Sequence, residues 1–131
     1  MRFLSIYKHA ETNVPPSPEM MATMGALIVR SLAAGELVAT EGCLPSALGA
    51  RVRRDNGRVT VTDGPFTEAK ELIAGFAILN ADSKAHAIEI AKQFLEVVGG
   101  GECELRQIFE SPAQLPAYEA AARAAGGAQP A

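Results

Sequence analysis

The stretch Leu72-Ile73-Ala74-Gly75-Phe76-Ala77-Ile78-Leu79-Asn80-Ala81 decides the fold, because it is apolar on both alternating sets of side chains. One side of the extended strand carries Ile73, Ala77 and Leu79, and the other carries Leu72, Phe76 and Ile78. A strand with this pattern is covered on both faces of its sheet, whereas a half-exposed strand alternates apolar with polar residues. The sheet therefore needs a covering layer on each side.

Segments of strand and helix periodicity alternate along the rest of the chain. In chain order the sequence predicts a strand over Arg2 to Lys8, a helix from about Pro18 to Ala34, a short strand at Leu37 to Ala39, a hairpin, the strand Leu72 to Ala81, a helix from Ser83 to about Val98, and a strand over Glu102 to Phe109. Ser17 and Ser83 are typical helix N-caps, and Gly35 and Gly99 are typical of helix ends. The apolar face predicted for the first helix comprises Met20, Met21, Met24, Leu27, Ile28 and Leu32.

The hairpin is predicted by Asn56-Gly57, because Asn-Gly between two alternating runs favours a two-residue turn. That turn pairs Val52 with Val61, and Ala50 with Asp63. Four of the 12 basic residues lie in this hairpin, and three of them share the face opposite Asp63; the four are Arg51, Arg53, Arg54 and Arg58. The hairpin is therefore either a solubilising exposed element or a docking surface for an acidic protein partner or nucleic acid.

This order of elements predicts a ferredoxin-like α+β fold with an extra β-hairpin. Right-handed crossovers place the two strand-helix-strand halves in one antiparallel sheet with both helices on one face. The other face needs a cover, and a second copy of the same sheet across a twofold axis supplies it. We therefore predict a homodimer, a dimeric α+β barrel that encloses a cavity between the two sheets.

Composition narrows the class of protein. The chain has 131 residues, 48% of them hydrophobic, which is ordinary for one globular domain. We predict this domain over residues 1–110. An Ala-rich segment follows over residues 111–131, with a short helix around Ala117 to Ala125 and a flexible tail. A net charge of −3 and the absence of Trp disfavour direct nucleic-acid binding. The apolar N-terminus is too short for a signal peptide, and no window approaches a membrane span, which predicts a cytoplasmic protein without membrane association.

Asp63 is the first candidate catalytic residue. The hairpin register places its carboxylate on the face of Val52 and Val61, and an inward carboxylate at a strand end can acquire the raised pKa that a general acid or base needs. The alternative is structural, because Asp followed by Gly64-Pro65 also opens turns and accepts hydrogen bonds from nearby backbone N–H groups.

His9 is the second candidate, at the end of the first strand. It shares the parity of Ser5 and Tyr7, and if Leu4 and Ile6 pack against the helices, these three residues face the cavity. Ser5 and Tyr7 would then bind the ligand, and His9 would exchange protons with the candidate carboxylate near neutral pH. Otherwise His9 simply opens an exposed loop.

Charged residues near the last strand and the turn are further candidates. Arg106 shares a sheet face with Glu104, and it either binds an anionic ligand in the cavity or forms a salt bridge. Glu68 and Lys70 either line the mouth of a pocket or stay solvated. His86 lies on the polar stripe of the second helix, which predicts a surface histidine. Neither the histidines nor the two cysteines have metal-ligand spacing, and no cofactor or metal is predicted.

Several of these residues form a recognisable pattern. It comprises Asp63-Gly64-Pro65-Phe66, Glu68, Lys70-Glu71 and Gly75, with Gly42 and Leu44-Pro45 upstream and Glu104-Leu105-Arg106-Gln107 downstream. The pattern resembles the YCII-related family, in its DGPF-domain branch, and covers roughly residues 2 to 110. The resemblance implies a ferredoxin-like fold and a dimeric α+β barrel.

The resemblance implies two kinds of function. The barrel is similar to that of muconolactone isomerase and related small-molecule enzymes, which implies an enzyme. Members of the DGPF type are also often encoded beside extracytoplasmic-function sigma factors, which implies a regulatory module. The acid-base pair proposed for YCII proteins is a first-helix His with an Asp, and this chain departs from it because its first helix carries Met20, Met21 and Met24 and no His.

We therefore expect a dimeric barrel that binds a small organic ligand, with isomerase- or lyase-like acid/base chemistry at Asp63. The alternative is a non-catalytic binding module, a partner in sigma-factor-linked transcription control. A barrel that binds its ligand without turning it over is a third option, because the first-helix His is missing.

Overall fold

The computed structural model describes residues 1–126 and contains a four-stranded antiparallel sheet, a separate hairpin and three α-helices. In chain order the elements are β1 (Arg2–His9), α1 (Pro18–Ala33), β2 (Leu37–Gly42), β3 (Ala50–Asp55), β4 (Arg58–Asp63), β5 (Leu72–Asn80), α2 (Lys84–Val98), β6 (Glu102–Gln107) and α3 (Leu115–Ala124). The sheet order is β2-β5-β1-β6, and all neighbouring strands are antiparallel. This is the predicted ferredoxin-like α+β fold.

The helix caps follow the sequence signals. The Ser17 hydroxyl accepts a hydrogen bond from the Met20 N–H at 3.0 Å, and the Ser83 hydroxyl accepts one from the His86 N–H at 3.1 Å. Each bond satisfies one of the backbone N–H groups that the first helical turn leaves without a partner. Gly99 ends α2 with a φ of 84°, a left-handed conformation that glycine adopts without steric cost.

The helix-facing side of the sheet differs from the one predicted. Phe3 pairs with Leu79, and these side chains are 2% and 4% exposed in a core that includes Ala87 of α2. Ser5, two residues along, is 6% exposed on the same side. The prediction that Leu4 and Ile6 pack against the helices is therefore wrong. Both parities of β1 carry large apolar residues, so alternation could not choose between them, and the fit of Phe3 against Leu79 and α2 did.

The opposite side of the sheet, here called the open face, points away from the core that Phe3 and Leu79 form with α2. Cross-strand pairing builds two rows across it. One row joins Ile78, Leu4 and Arg106, and the other joins Phe76, Ile6 and Glu104. Its centre on β1 and β5 is thus apolar, and its β6 edge is charged. Phe76 remains 36% exposed, so residues 1–126 do not supply the second cover predicted for this side.

Helix α1 presents less of its predicted apolar surface to the core. In α1 Leu27 is buried, but Met21 is 62% exposed and Leu32 is 51% exposed, so the predicted inward orientation of those two is wrong. Their positions flank the stripe that meets the sheet. The predicted C-terminal helix is present as α3, which has no buried residue. The flexible tail predicted beyond it falls largely on residues 127–131, which lie outside the described residues.

The hairpin β3–β4 has the predicted register. Val52 pairs with Val61, Ala50 with Asp63, and Asn56 and Gly57 occupy the turn with φ values of 49° and 76°. All 12 strand residues are exposed, so neither face of the hairpin is buried by the part of the chain that the structure describes. We refer to residues 50–63 as the arm.

No helix within residues 1–126 combines the length and hydropathy that crossing a membrane requires.

Candidate functional site

The Asp63-Gly64-Pro65-Phe66 segment forms a close turn at the base of the arm. The Gly64 N–H donates to the Gly49 carbonyl at 2.9 Å, and the Phe66 N–H donates to the Ser46 hydroxyl at 3.1 Å. A Cβ on Gly64 would lie 1.7 Å from the Ser46 carbonyl oxygen, so the two backbone segments approach too closely for any side chain. The glycine of this motif is therefore required by packing.

Two side-chain contacts hold this turn against the body. The Glu11 carboxylate accepts hydrogen bonds from the Ser46 N–H at 2.5 Å and from its hydroxyl at 2.8 Å, which ties the loop after β1 to the turn. The Arg51 guanidinium lies 4.0 Å from the centroid of the Phe66 ring and forms an ion pair with Glu68. A hydrogen bond from its own backbone N–H, and then the one from Arg51, lower the pKa of Glu68. Glu68 thus serves as a partner of Arg51.

Asp63 lies at the base of the arm, on the face that carries Val52 and Val61, as the register predicted. Its side chain is exposed in the single chain. Lys70, seven residues on, is also exposed. Neither residue belongs to the open depression of about 430 Å³ at the end of α2, which is lined by Lys92, Leu95, Glu96, Gly99 and Gly100.

Tyr7 points to the helix layer, which corrects its predicted place on the open side. Its hydroxyl donates to the Gly100 carbonyl at 2.7 Å, and its ring packs edge-on against Phe94, with centroids 4.9 Å apart. A Cβ on Gly101 would lie 2.6 Å from the Tyr7 ring, so this ring packs directly over the turn between α2 and β6. Burial, and secondarily the neighbouring Cys103, raise the pKa of Tyr7, which keeps the phenol protonated as a hydrogen-bond donor.

Ser5 and His9 follow Tyr7 to the same side. Ser5 is buried and hydrogen-bonds to Cys103, whose thiol pKa is raised mainly by burial. The His9 ring lies 5.2 Å from the Tyr7 ring, and its Nδ1 lies 2.6 Å from the Ala10 carbonyl oxygen. His9 thus lies beside Tyr7, and the predicted place of Ser5 and Tyr7 on the open side is wrong, because both lie on the covered side of the sheet. The β1 residues that lie on the open face are instead Leu4, Ile6 and Lys8.

The open face carries a charged cluster, defined as Lys8, Glu104 and Arg106. The Lys8 ammonium lies 2.8 Å from Glu104 Oε1, and the Arg106 Nη1 lies 3.4 Å from Glu104 Oε2. The hydrogen bond from Lys8 is the main cause of a lowered pKa at Glu104, and the same bond raises the pKa of Lys8. Two cations therefore share one carboxylate. The Arg106 side chain is 71% exposed and retains free donors for an anion.

Lys8 was absent from the sequence-based candidates, although a signal for it existed. It shares the parity of Leu4 and Ile6, and β6 pairs with β1 so that Ile6 lies opposite Glu104. Because the wrong side of β1 was expected to face the open side, Tyr7 was predicted there and Lys8 was not.

His86 is less exposed than predicted and joins two elements. Its Nδ1 accepts a hydrogen bond from the Asp82 N–H at 3.0 Å, and its Nε2 lies 2.8 Å from Glu36 Oε2. With Nδ1 as acceptor, the neutral ring carries its proton on Nε2 and donates it to Glu36. His86 therefore connects the start of α2 to the segment before β2, so the prediction of a merely solvated surface histidine is wrong.

The model of the YCII-related domain matches residues 1–111 of this chain, from β1 through β6. The chain belongs to the YCII-related family. The match includes the close turn, the arm and the charged cluster, so the features described above all lie within this YCII-related domain.

Two further proteins are similar to this YCII-related chain. An uncharacterized protein of Rhizobium meliloti (strain 1021) is 28% identical over 99 residues, which covers 74% of this chain and 80% of the relative. The crystal structure of CutA from Xylella fastidiosa is 12% identical with a TM-score of 0.39, covering 89% of this chain and 92% of that one. The second similarity is too low to support any inference.

Proposed function

We propose that this YCII-related protein is a homodimer that binds a small organic anion against the open face of its sheet. The observation that carries the proposal is the composition of that face, with an apolar centre at Leu4 and Ile6 and the charged cluster beside it. A ligand with a hydrocarbon part and one carboxylate matches this arrangement. The hydrocarbon packs on the apolar rows, and Arg106 binds the carboxylate with two parallel N–H donors.

The homodimer follows from the same face. Within residues 1–126 its four central apolar side chains are only partly covered, since Leu4, Ile6 and Ile78 are half-buried and Phe76 is 36% exposed. Contiguous apolar surface of this kind is unfavourable in water and marks an interaction site. A second copy related by a twofold axis presents an identical apolar face, so each sheet covers the other and both charged clusters border one shared cavity.

Catalysis is a further part of the proposal, with Asp63 as general acid or base in an isomerase- or lyase-like proton transfer. Its backbone is positioned by the close turn, and its carboxylate is accessible. The Asp63→Asn variant should keep the fold and lose any turnover found in a substrate screen. Turnover retained by Asp63→Asn would remove the catalytic part while leaving ligand binding intact.

Ligand binding is tested with small aliphatic and aromatic carboxylates in a thermal-shift screen, followed by calorimetric titration of any ligand that raises the Tm. The Arg106→Gln variant should bind about tenfold or more weakly, the loss expected for one charge-assisted bidentate contact. Arg30→Gln, which removes the same charge from an exposed position in the last turn of α1, is the matched control and should bind like the wild type. Equal affinities for all three proteins would contradict the placement of the ligand.

The dimer is tested by size-exclusion chromatography with light scattering. Ile6→Glu places a charge at the centre of the open face and should yield monomer. Val29→Glu adds the same charge on the outer side of α1, where the side chain is 67% exposed, and should leave the dimer unchanged. A wild type that is monomeric at micromolar concentration would contradict the proposal.

A second candidate function is a non-catalytic module that docks on an acidic surface of a partner in sigma-factor-linked transcription control. The specific observation in its favour is the arm, whose four arginines stand on a fully exposed hairpin. A purified sigma factor should then be retained by the wild type and lost with Arg53→Glu and Arg58→Glu. Retention unaffected by these reversals would exclude the arm as the docking element.

A further inference from the structure

We propose that the arm docks on a second copy of this chain through its valine face, defined as Val52, Val59 and Val61. Each subunit of the dimer would then reach across to the other. The inference rests on the homodimer proposed above, and it adds an interface that sheet pairing alone does not require.

The valine face is apolar surface that nothing among residues 1–126 covers. Val52 is 70% exposed, and Val59 and Val61 are each 63% exposed. They are neighbours in space, because Val52 pairs with Val61, and Val59 lies two residues before Val61 on β4. A two-stranded hairpin by itself is at best marginally stable in water and gains independent stability only by packing on something else. The arm therefore needs an external surface.

The arm is presented in a defined orientation. Its base is held by the Glu11 contacts to Ser46, by the close approach of Gly64 to the same loop, and by Arg51 stacked on Phe66. Its tip closes in the Asn56-Gly57 turn. Since both ends are ordered before any docking, the arm loses little conformational freedom when it binds, which favours association.

Charge complementarity favours a second copy as the occupant, and because Arg51, Arg53 and Arg58 lie on the face opposite the valines, it acts by long-range attraction rather than by contact. The four arginines and two aspartates of residues 50–63 give the arm a net charge of +2, so the remainder of the chain carries −5 of the total of −3. A basic arm and an acidic body of opposite sign, joined in one molecule, attract each other between two copies and steer their association. A twofold axis makes the contact reciprocal, so both valine faces are covered at once.

The test compares two double variants of β4 that add the same charge to opposite faces. Val59→Lys with Val61→Lys disrupts the valine face, and Thr60→Lys with Thr62→Lys changes the other face of the same strand. Both add positive charge, which strengthens attraction to the acidic body, so a loss of affinity in the valine variant reports lost apolar burial. The dimer dissociation constant is measured by analytical ultracentrifugation, and circular dichroism checks that each variant is folded.

The valine variant should weaken the dimer about tenfold or more, and the threonine variant less than about threefold. Equal dissociation constants for wild type and the valine variant would overturn the arm contact. The Ile6→Glu variant separates the two proposals. If Ile6→Glu breaks the dimer and the valine variant does not, the sheet pairing stands and the arm contact is refuted. A valine variant that loses another protein partner while dimerising normally refutes it too, and so does a monomeric wild type.

Discussion

Replacing Gly64 with Ala should destabilise the close turn at the base of the arm. The new Cβ would lie 1.7 Å from the Ser46 carbonyl oxygen and 2.6 Å from its carbonyl carbon, whereas ordinary contacts begin at 3.4 Å. Both neighbours are backbone atoms, so no side-chain rotation relieves the overlap. The two segments must move apart, and that movement breaks the Gly64 N–H bond to Gly49 and the Phe66 N–H bond to Ser46.

The magnitude follows from these two effects. Overpacking at a site that cannot relax costs about 1–3 kcal/mol, and each lost hydrogen bond costs about 0.5–1.5 kcal/mol. The effects overlap, because the movement that relieves the strain is the one that breaks the bonds. We therefore expect the free energy of unfolding to fall by about 2–4 kcal/mol, with a Tm lower by roughly 10 °C.

Urea denaturation followed by circular dichroism measures this loss, and amide hydrogen exchange at Phe66 measures it at the turn itself. Gly49→Ala is the matched control in the same turn, because its Cβ would lie 3.5 Å from the Ser46 oxygen and its φ of −114° suits any residue. That variant should change stability by less than about 0.5 kcal/mol. A Gly64→Ala protein as stable as Gly49→Ala, with unchanged exchange at Phe66, would refute the close approach.

Three further predictions concern other parts of the molecule. Tyr7→Phe removes the hydrogen bond to Gly100 and should lower the free energy of unfolding by about 1 kcal/mol in urea denaturation; an unchanged value would show that the bond is absent. The pKa of Glu104 is below its ordinary 4.5, and the pKa of Lys8 is above its ordinary 10.5. Their ion pair therefore stabilises the fold between those two pH values. This contribution is lost as pH falls through the folded pKa of Glu104, or as pH rises through the folded pKa of Lys8. The Tm difference between wild type and Glu104→Gln should therefore shrink below pH 4.5, and a constant difference down to about pH 3 would contradict the pairing. A double-mutant cycle of Arg51→Gln and Phe66→Leu should give a coupling of about 0.5–1 kcal/mol from the cation–π contact, and a coupling near zero would argue against it.

The Asp-Gly-Pro-Phe motif owes two of its residues to structure. Gly64 is required by the close approach to Ser46, and Phe66 supplies both the ring under Arg51 and an N–H for the Ser46 hydroxyl.

The predictions that succeeded rested on local signals. Asn56-Gly57 specifies a two-residue turn, and the turn alone sets which residues pair across the arm. Ser17 and Ser83 cap their helices because a short hydroxyl side chain reaches a free N–H of the first helical turn. Contacts of this kind depend on only a few neighbouring residues, so the sequence contains the information they need.

The predictions that failed needed long-range contacts. The contact of His86 with Glu36 joins residues 50 positions apart, so no pattern among neighbouring residues predicts it. Tyr7 was placed on the open side because Leu4 and Ile6 were expected to pack against the helices. In the structure the Tyr7 hydroxyl donates to the Gly100 carbonyl and the Tyr7 ring packs against Phe94, which makes the covered side favourable for Tyr7.

Local sequence patterns were sufficient to predict the order of elements, the ferredoxin-like sheet and the register of the arm. Only the tertiary structure decided which face of the sheet meets the helices. The physical reason is that β1 and β5 are apolar on both parities, so the hydrophobic effect alone favours neither choice. Close packing of Phe3, Leu79 and Ala87 selects one of them, and that selection places Lys8, Glu104 and Arg106 on the open face.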